Sequence, residues 1–275
     1  MTRRHGTLRV LITGGASGLG AALAARYTAG GAHVMVADLV EAPANQNPAV
    51  YQRLDITSVS DWTDIASRVG REFGGIDILI NNAGIAAGGR IEQADEQHWR
   101  RTLDVNVLGA VNGCRAFVPM FKQQGHGHIV NIASLAGLVH PAAMSSYNAS
   151  KAAVVALSET LRYELRPWGI DVSVVCPSFF RSNLAASVDD GDPLAGELAT
   201  KLIDRAPRTA DDVAAHVIES VERKQFLVLP DRPARLAYWT KRLAGPIYRR
   251  QMNDLGAKIR CAEGHPRVSD EVKPK

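Results

Sequence analysis

The sequence predicts a doubly wound α/β fold around a parallel sheet, and three observations carry that expectation. Over the first 180 residues short β-rich runs alternate with helical patterns, the signature of right-handed βαβ units. The β-rich runs are apolar at most positions rather than at every second one, as in strands covered on both faces. The first of them, Leu8–Thr13, leads straight into a glycine-rich turn and then an alanine-rich helical pattern.

Strands are expected at Leu8–Thr13, His33–Ala37, Val50–Leu54, Ile76–Asn81, Gly127–Ala133 and Ile170–Cys176, with Phe226–Leu229 as a seventh. Between them helices are expected at about Leu19–Ala29, Ser58–Phe73, Gln97–Gln123, Ser146–Arg166 and Thr209–Arg223, the last opened by Thr209-x-x-Asp212, which resembles a capping box. The segment Ser178–Ala206 is long for a connection and follows a strand's carboxyl end. It mixes Phe179, Phe180 and Leu184 with Asp189-Asp190-Gly191-Asp192 and reads as a lid or binding loop. No repeat and no Pro-, Gly- or Ser-rich linker divides the chain. One domain is therefore expected over residues 1–230, then a basic amphipathic extension at 231–252 and a polar, loosely ordered tail at 253–275.

Composition narrows the class. With 275 residues, 46% hydrophobic and 22% charged, the chain can bury a full core, and 24 Gly and 13 Pro are too few and too scattered for a low-complexity chain. The net charge of +4 falls short of a nucleic-acid-binding footprint. The excess is local: Arg232, Arg235, Lys241, Arg242, Arg249 and Arg250 face only Asp231, leaving the rest of the chain near neutral. Cys114, Cys176 and Cys261 are widely spaced, without a C-x-x-C pair or clustered His, so they read as reduced thiols of a cytoplasmic protein without a metal site. The basic start leads into a strand rather than a signal-type apolar run, and no apolar run approaches the roughly 18 residues of a spanning helix.

The turn Gly14-Gly15-Ala16-Ser17-Gly18-Leu19-Gly20 sits between strand and helix, where glycine permits a tight bend and lets backbone approach a pyrophosphate at the helix's positive end. Asp38 ends the second strand about 20 residues on, where a carboxylate accepts ribose hydroxyls and repels a 2′-phosphate. Leu39 follows and no Lys or Arg interrupts the turn, so NAD(H) is expected, with NADP(H) not excluded. The alternatives, an ordinary glycine loop and a strand-capping Asp38, stay open at this point.

Thr13-Gly14-x-x-x-Gly18-x-Gly20, Asn81-Asn82-Ala83-Gly84, Ser134 and Tyr147-Asn148-Ala149-Ser150-Lys151 follow one another in the order and at the spacings of the short-chain dehydrogenase/reductase family, which the chain resembles from Leu8 to Leu184 and more weakly to Leu229. The resemblance implies a single Rossmann-fold domain with a doubly wound seven-stranded parallel sheet, and an enzyme that interconverts an alcohol and a ketone or aldehyde. It implies Ser134, Tyr147, Lys151 and Asn106 as the catalytic set, Asn106 holding a water beside the lysine. Cofactor contacts are implied at Gly14, Ala16, Ser17, Gly18, Leu19 and Gly20, at Asp38, Leu39, Asp55 and Ile56, and at Asn82, Ala83 and Gly84. Tyr147, Lys151, Pro177, Phe180 and Ser182 complete the set. The chain departs from the family pattern at Ser178, where a glycine is common.

The residues support the same chemistry. Tyr147 and Lys151 are four apart in a helical pattern and share a face. An ammonium and an oxidised nicotinamide beside the phenol are expected to lower its pKa and make it a general acid–base. Ser134, at the carboxyl edge of the sheet, can polarise the reacting oxygen, and no Gly-x-Ser-x-Gly elbow marks it as a nucleophile. Read without the resemblance, Asn106 is equally a structural polar residue. Pocket walls are expected from Ile85–Gly89, Leu135–Met144 and Phe179–Leu184, a mostly apolar set that suits a hydrophobic substrate, with His140 either facing the cleft or structural.

Ala152–Leu157 is apolar throughout, which points to burial on two sides and to self-association; the family resemblance implies a homodimer or homotetramer built on this helix and the one before it. The amphipathic stretch 233–252 either covers the end of the sheet, packs on another subunit, or makes peripheral contact with a membrane. A dinucleotide sensor without turnover and an epimerase or dehydratase retaining NAD remain as alternatives.

Overall fold

The computed structural model describes residues 7–40, 50–181 and 192–262. Strands β1 (Arg9–Thr13), β2 (His33–Asp38), β3 (Val50–Arg53), β4 (Ile78–Asn81), β5 (Gly127–Ile132), β6 (Ile170–Val175) and β7 (Leu227–Val228) form one sheet in the order β3-β2-β1-β4-β5-β6-β7. Every pairing is parallel, Ile12 lying between Val36 and Ile80. The order reverses between β1 and β4, and ligands of open α/β sheets bind at the carboxyl end of such a switch point.

Side chains alternate across each strand, so β1 feeds two cores. Val10 and Ile12 pack with Leu23 and Tyr27 of α1 (Gly18–Ala29) and Val213 and Val217 of α8 (Ala210–Glu222). Leu11 turns to the other face, to Trp62 of α2 (Val59–Phe73) and Phe117 and Phe121 of α4 (Gly109–Gln124). Local chemistry sets the helix ends, at α8 through the capping box the sequence suggests. Ser58 accepts from the Asp61 N–H, Gly74 closes α2 in the left-handed region at φ 63, and Thr209 and Asp212 form a reciprocal capping box.

The helix expected over Gln97–Gln123 is interrupted. It consists of α3 (Glu96–Leu103), a π-helical turn at Asp104–Leu108, and α4. The wide turn carries Asn106 into the interior, where its amide bonds the backbone of Ile85. Hydrophobic period alone cannot reveal one extra residue in a turn. A short α5 (Ala136–Val139) precedes α6 (Ser145–Leu165), and α7 (Pro193–Asp204) occupies part of the expected lid.

The basic extension forms α9 (Arg232–Leu243) and α10 (Gly245–Ala262), broken at Ala244. The expectation of a loosely ordered tail is corrected over 253–262, which is helical because Leu255 turns in to the cleft wall. Residues 263–275 lie outside the described residues, as do Ser182 and Leu184. Within one copy of the chain Val154 is buried, Ala156 is exposed, and the rest of Ala152–Leu157 is half-buried.

Candidate active site

A cleft of about 990 Å³ opens along the carboxyl edge of the sheet. On its β1 side the wall is backbone held without slack. Gly14 has φ +65, and a Cβ there would lie 2.8 Å from the Ala83 Cα; a Cβ on Gly20 would lie 2.1 Å from the Gly14 carbonyl oxygen. The Asn82 side-chain amide donates to the Thr13 and Gly14 carbonyls at 2.9 and 3.0 Å. The Thr13 hydroxyl accepts from the N–H groups of Asn82 and Ala83, both at 3.0 Å. Thr13 thus ties the turn to the end of β4, a role the sequence reading did not assign to it, although it heads the glycine motif.

Ser17 caps α1 without a side-chain hydrogen bond, and the first turn holds no acid. Ser17, Gly18 and Leu19 line the cleft, so the positive end of α1 is left for an anion. Ala16 does not line it; its N–H donates to Asp38 Oδ2 at 2.9 Å, fixing the carboxylate at the rim, and Oδ1 accepts from the Val40 N–H at 3.3 Å. Burial, with Asp38 adding to it, pushes the nearby Tyr51 phenol up to about 12. Further along, Asp55 Oδ1 accepts from the Thr57 N–H and hydroxyl, and the Ile56 carbonyl takes the Trp62 indole at 2.9 Å. Leu39, Asp55, Ile56 and Gly84 all line the cleft. This wall fits a dinucleotide: an unopposed helix N-terminus for the pyrophosphate, glycines whose missing Cβ atoms permit close approach, and a fixed carboxylate at the β2 end.

Opposite stand Ser134, Tyr147 and Lys151. Tyr147 and Lys151, one turn apart on α6, are buried at 8% and 5% exposure. The Lys151 ammonium lies 5.8 Å from the Tyr147 ring centroid and donates to the Ile132 carbonyl at 3.2 Å. Burial holds it down at about 8, with Cys176 opposing. The lowering expected of the phenol is that with an oxidised nicotinamide beside it; the protein's own groups set the opposite balance. Burial pushes Tyr147 above its ordinary value, a hydrogen bond from Ser134 opposes, and Cys176 adds to the rise. Desolvation penalises both charged forms. Ser134 Oγ also accepts from the Ala136 N–H at 3.2 Å, and Cys176, fully buried behind it, has its thiol pushed up to about 12 by burial.

Asn106 does not line the cleft. Its Oδ1 accepts from the Ile85 N–H at 2.9 Å, and its Nδ2 donates to the Ile85 carbonyl at 3.1 Å and to Ser150 Oγ at 3.3 Å. A Cβ on Gly84 would lie 2.9 Å from Asn106 Oδ1 and 3.3 Å from Lys151 Nζ, so the two side chains flank that glycine.

The remaining wall is made of side chains. Ile85, Leu135, Val139, Met144, Phe179 and Phe180 line the cleft, as does Pro177. Leu138 packs instead with the Val154 cluster, and His140 turns out to solvent at φ 49, its Nδ1 bonded to the Ala136 carbonyl. Leu202 and Ile203 of α7 and Leu255 of α10 add to the wall. The pair Leu202-Ile203 was a visible apolar signal inside the expected loop; Leu255 had none. Arg90 grips the buried Asp192 carboxylate through its backbone N–H and its guanidinium at 2.8–3.1 Å, tying the chain beyond β4 to the start of α7. Ser178, standing where a glycine was expected, has no positive φ; its N–H donates to Asp231 Oδ2 at 3.0 Å, joining the cleft floor to α9.

A family model described as short chain dehydrogenase matches residues 9–193. The chain belongs to the short-chain dehydrogenase family. A trans-4-hydroxycyclohexanecarboxylate dehydrogenase of Sinomonas cyclohexanicum is 35% identical over 196 residues, covering 66% of this chain and 75% of that protein. A 3-alpha-(or 20-beta)-hydroxysteroid dehydrogenase of Mycobacterium tuberculosis is 37% identical over 178 residues, covering 62% and 68%. Among solved structures, a short-chain dehydrogenase/reductase of Burkholderia phymatum in complex with NAD has a TM-score of 0.80 at 30% identity, covering 86% of this chain and 92% of its own. The Streptomyces avermitilis short-chain dehydrogenase has a TM-score of 0.77 at 26% identity and covers 98% and 100%. This short-chain dehydrogenase is accordingly an oxidoreductase of a family that uses NAD(P). Among the described residues no helix is long and apolar enough to cross a membrane, and no cluster of His, Cys, Asp and Glu could hold a metal.

Proposed function

We propose that the protein uses NAD(H) to interconvert a hydrophobic alcohol and its ketone or aldehyde, with Tyr147 as general acid–base. The observation that carries the reading is the convergence of Ser134, buried Tyr147 and buried Lys151 on a cleft whose other wall fits a dinucleotide. The dinucleotide supplies a hydride donor or acceptor at its nicotinamide. Tyr147 takes the alcohol proton in oxidation and returns it in reduction. Ser134 donates to the reacting oxygen and offsets charge developing on it. Lys151 brings the positive charge that favours phenolate, and Asn106 acts through Ile85 and Ser150 as a positioning residue.

Asp38 favours NAD(H), because a 2′-phosphate beside a fixed carboxylate is repelled. The apolar wall favours a hydrophobic substrate, and the two relatives named above carry hydroxyl-bearing ring compounds in their names. Self-association through α4 and α6 belongs to the same reading, since Leu108 before α4 and Tyr163 on α6 are exposed in one copy.

Fluorescence titration with NADH and NADPH, followed by hydrophobic ketones and aldehydes watched at the nicotinamide absorbance, tests this. Tighter NADH binding with carbonyl-dependent oxidation is expected. NADPH preference would overturn the role of Asp38, and binding without turnover on any carbonyl or alcohol would overturn catalysis. Oxidation needs the phenolate and reduction the phenol, so alcohol oxidation should rise with pH while carbonyl reduction falls.

A further inference from the structure

The hairpin α9–α10 keeps its most apolar residues outside. Leu236, Trp239 and Leu243 recur at i, i+3 and i+7 as a stripe on one face of α9 and are 71%, 51% and 78% exposed; Ile247 of α10 is also exposed. The opposite face of α9 packs inward through the fully buried Ala234, and Lys241 donates to the Leu138 carbonyl. The stripe is therefore not a displaced core face. Arg232, Arg235 and Arg242 flank it, all exposed, and residues 231–262 carry eight basic residues against two acids. One of those acids, Asp231, is buried as the cap of α9.

Beside the stripe, at the β7 edge of the sheet, lies a second pocket of about 530 Å³. His216 of α8, Arg223, Gln225, and Arg235, Tyr238 and Trp239 of α9 supply its polar and aromatic lining, which contains no carboxylate. Arg223 is paired with Glu219 at 2.6 Å. Burial first, then the nearby Arg235 with Arg208 and Arg223, hold the His216 imidazole below its ordinary value, with Glu219 opposing.

We propose that this face docks the protein on an anionic phospholipid surface, Leu236, Trp239 and Leu243 entering the interfacial layer while a headgroup phosphate sits between His216 and Arg235. A helix with an apolar stripe flanked by Arg and Lys lies in the plane of such a surface. A second copy of the chain would meet this face with the same positive charge if the contact were two-fold. A nucleic acid would offer phosphates to the arginines but nothing to the apolar stripe. Because α9 and α10 hydrogen-bond the carbonyls of Leu138 and Val139, docking brings α5 and the cleft wall toward the lipid. The inference is independent of which reaction the cleft performs.

The test is co-sedimentation of the full chain with vesicles of phosphatidylcholine alone and of phosphatidylcholine mixed with one-third phosphatidylglycerol. Binding is expected to the mixed vesicles only, released by high salt, with a blue shift of tryptophan emission that Trp239→Phe removes. Each basic residue near such a surface contributes enough that Arg235→Glu with Arg242→Glu should weaken binding by about thirty-fold or more. Leu236→Ser with Leu243→Ser should abolish the blue shift, and both double variants should keep the wild-type circular dichroism and turnover in solution. Three results overturn the proposal: absence of binding or equal binding to the two vesicles, displacement by millimolar inorganic phosphate, or conversion of a dimer to a monomer by Leu236→Ser with Leu243→Ser.

Discussion

The β1 side of the cleft and the α7 side differ in what they are made of. Between Gly14 and Gly84 the turn is held by backbone and short polar side chains, with clearances that leave no room for one carbon on Gly14 or Gly20, and Leu19, Leu39 and Ile56 line the cleft beside it. On the α7 side the wall is Leu202, Ile203, Phe179, Phe180 and Leu255, side chains from three separate segments, several of them partly open to solvent. A surface fixed by main-chain bonds recognises one ligand shape and tolerates little change. A surface of apolar side chains can be altered at small cost in fold, so the two sides should respond to mutation on different scales.

The largest effect is expected where the sides meet. Tyr147→Phe should lower turnover by about a thousandfold, equivalent to ~4 kcal/mol, because it removes the proton-transferring oxygen. NADH affinity, measured by fluorescence, should stay unchanged; retained turnover would remove Tyr147 from the reaction. Next, Gly20→Ala sharpens the comparison. Its Cβ meets a backbone oxygen that cannot rotate away, so a loss of about 1–3 kcal/mol in unfolding free energy is expected, together with at least tenfold weaker NADH binding. A variant that melts and binds like the parent would show that the glycine wall is not the rigid half.

Asp38→Asn should keep the fold but narrow the preference for NADH over NADPH by about tenfold, since the fixed negative charge is gone while a hydrogen-bond acceptor remains. Paired titrations give that ratio directly, and an unchanged ratio would place selectivity elsewhere. The smallest effect is expected on the other side. Leu202→Ala, at a half-open residue, should shift the melting free energy by no more than about 0.5 kcal/mol and leave NADH affinity intact, while changing the Michaelis constants of hydrophobic substrates relative to one another. Substrate-independent loss of turnover would break the distinction between the two sides.

The glycine side was legible in the sequence because its chemistry depends on residue types at fixed local spacing. Gly14, Gly18 and Gly20 mark a strand-to-helix turn, Asp38 ends the next strand, and Tyr147 and Lys151 share a helical face whatever surrounds them. All seven strands were visible as apolar runs, displaced by one or two residues at their ends. What the sequence concealed depends on contacts between distant segments. The π-helical turn at Asp104–Leu108 exists because Asn106 reaches Ile85, and the order along 253–262 because Leu255 reaches the cleft.

The same division describes the whole molecule. Local pattern determined the α/β class, the parallel sheet, the dinucleotide turn and the family, since backbone geometry and side-chain period are set within a few residues. Tertiary structure decided which charges act on one another and which apolar residues are covered. Only there does burial work against the charged forms of both Tyr147 and Lys151, and only there do Leu236, Trp239 and Leu243 remain outside. Desolvation and packing are properties of the assembled surroundings, and a linear sequence does not contain those surroundings until the chain has folded.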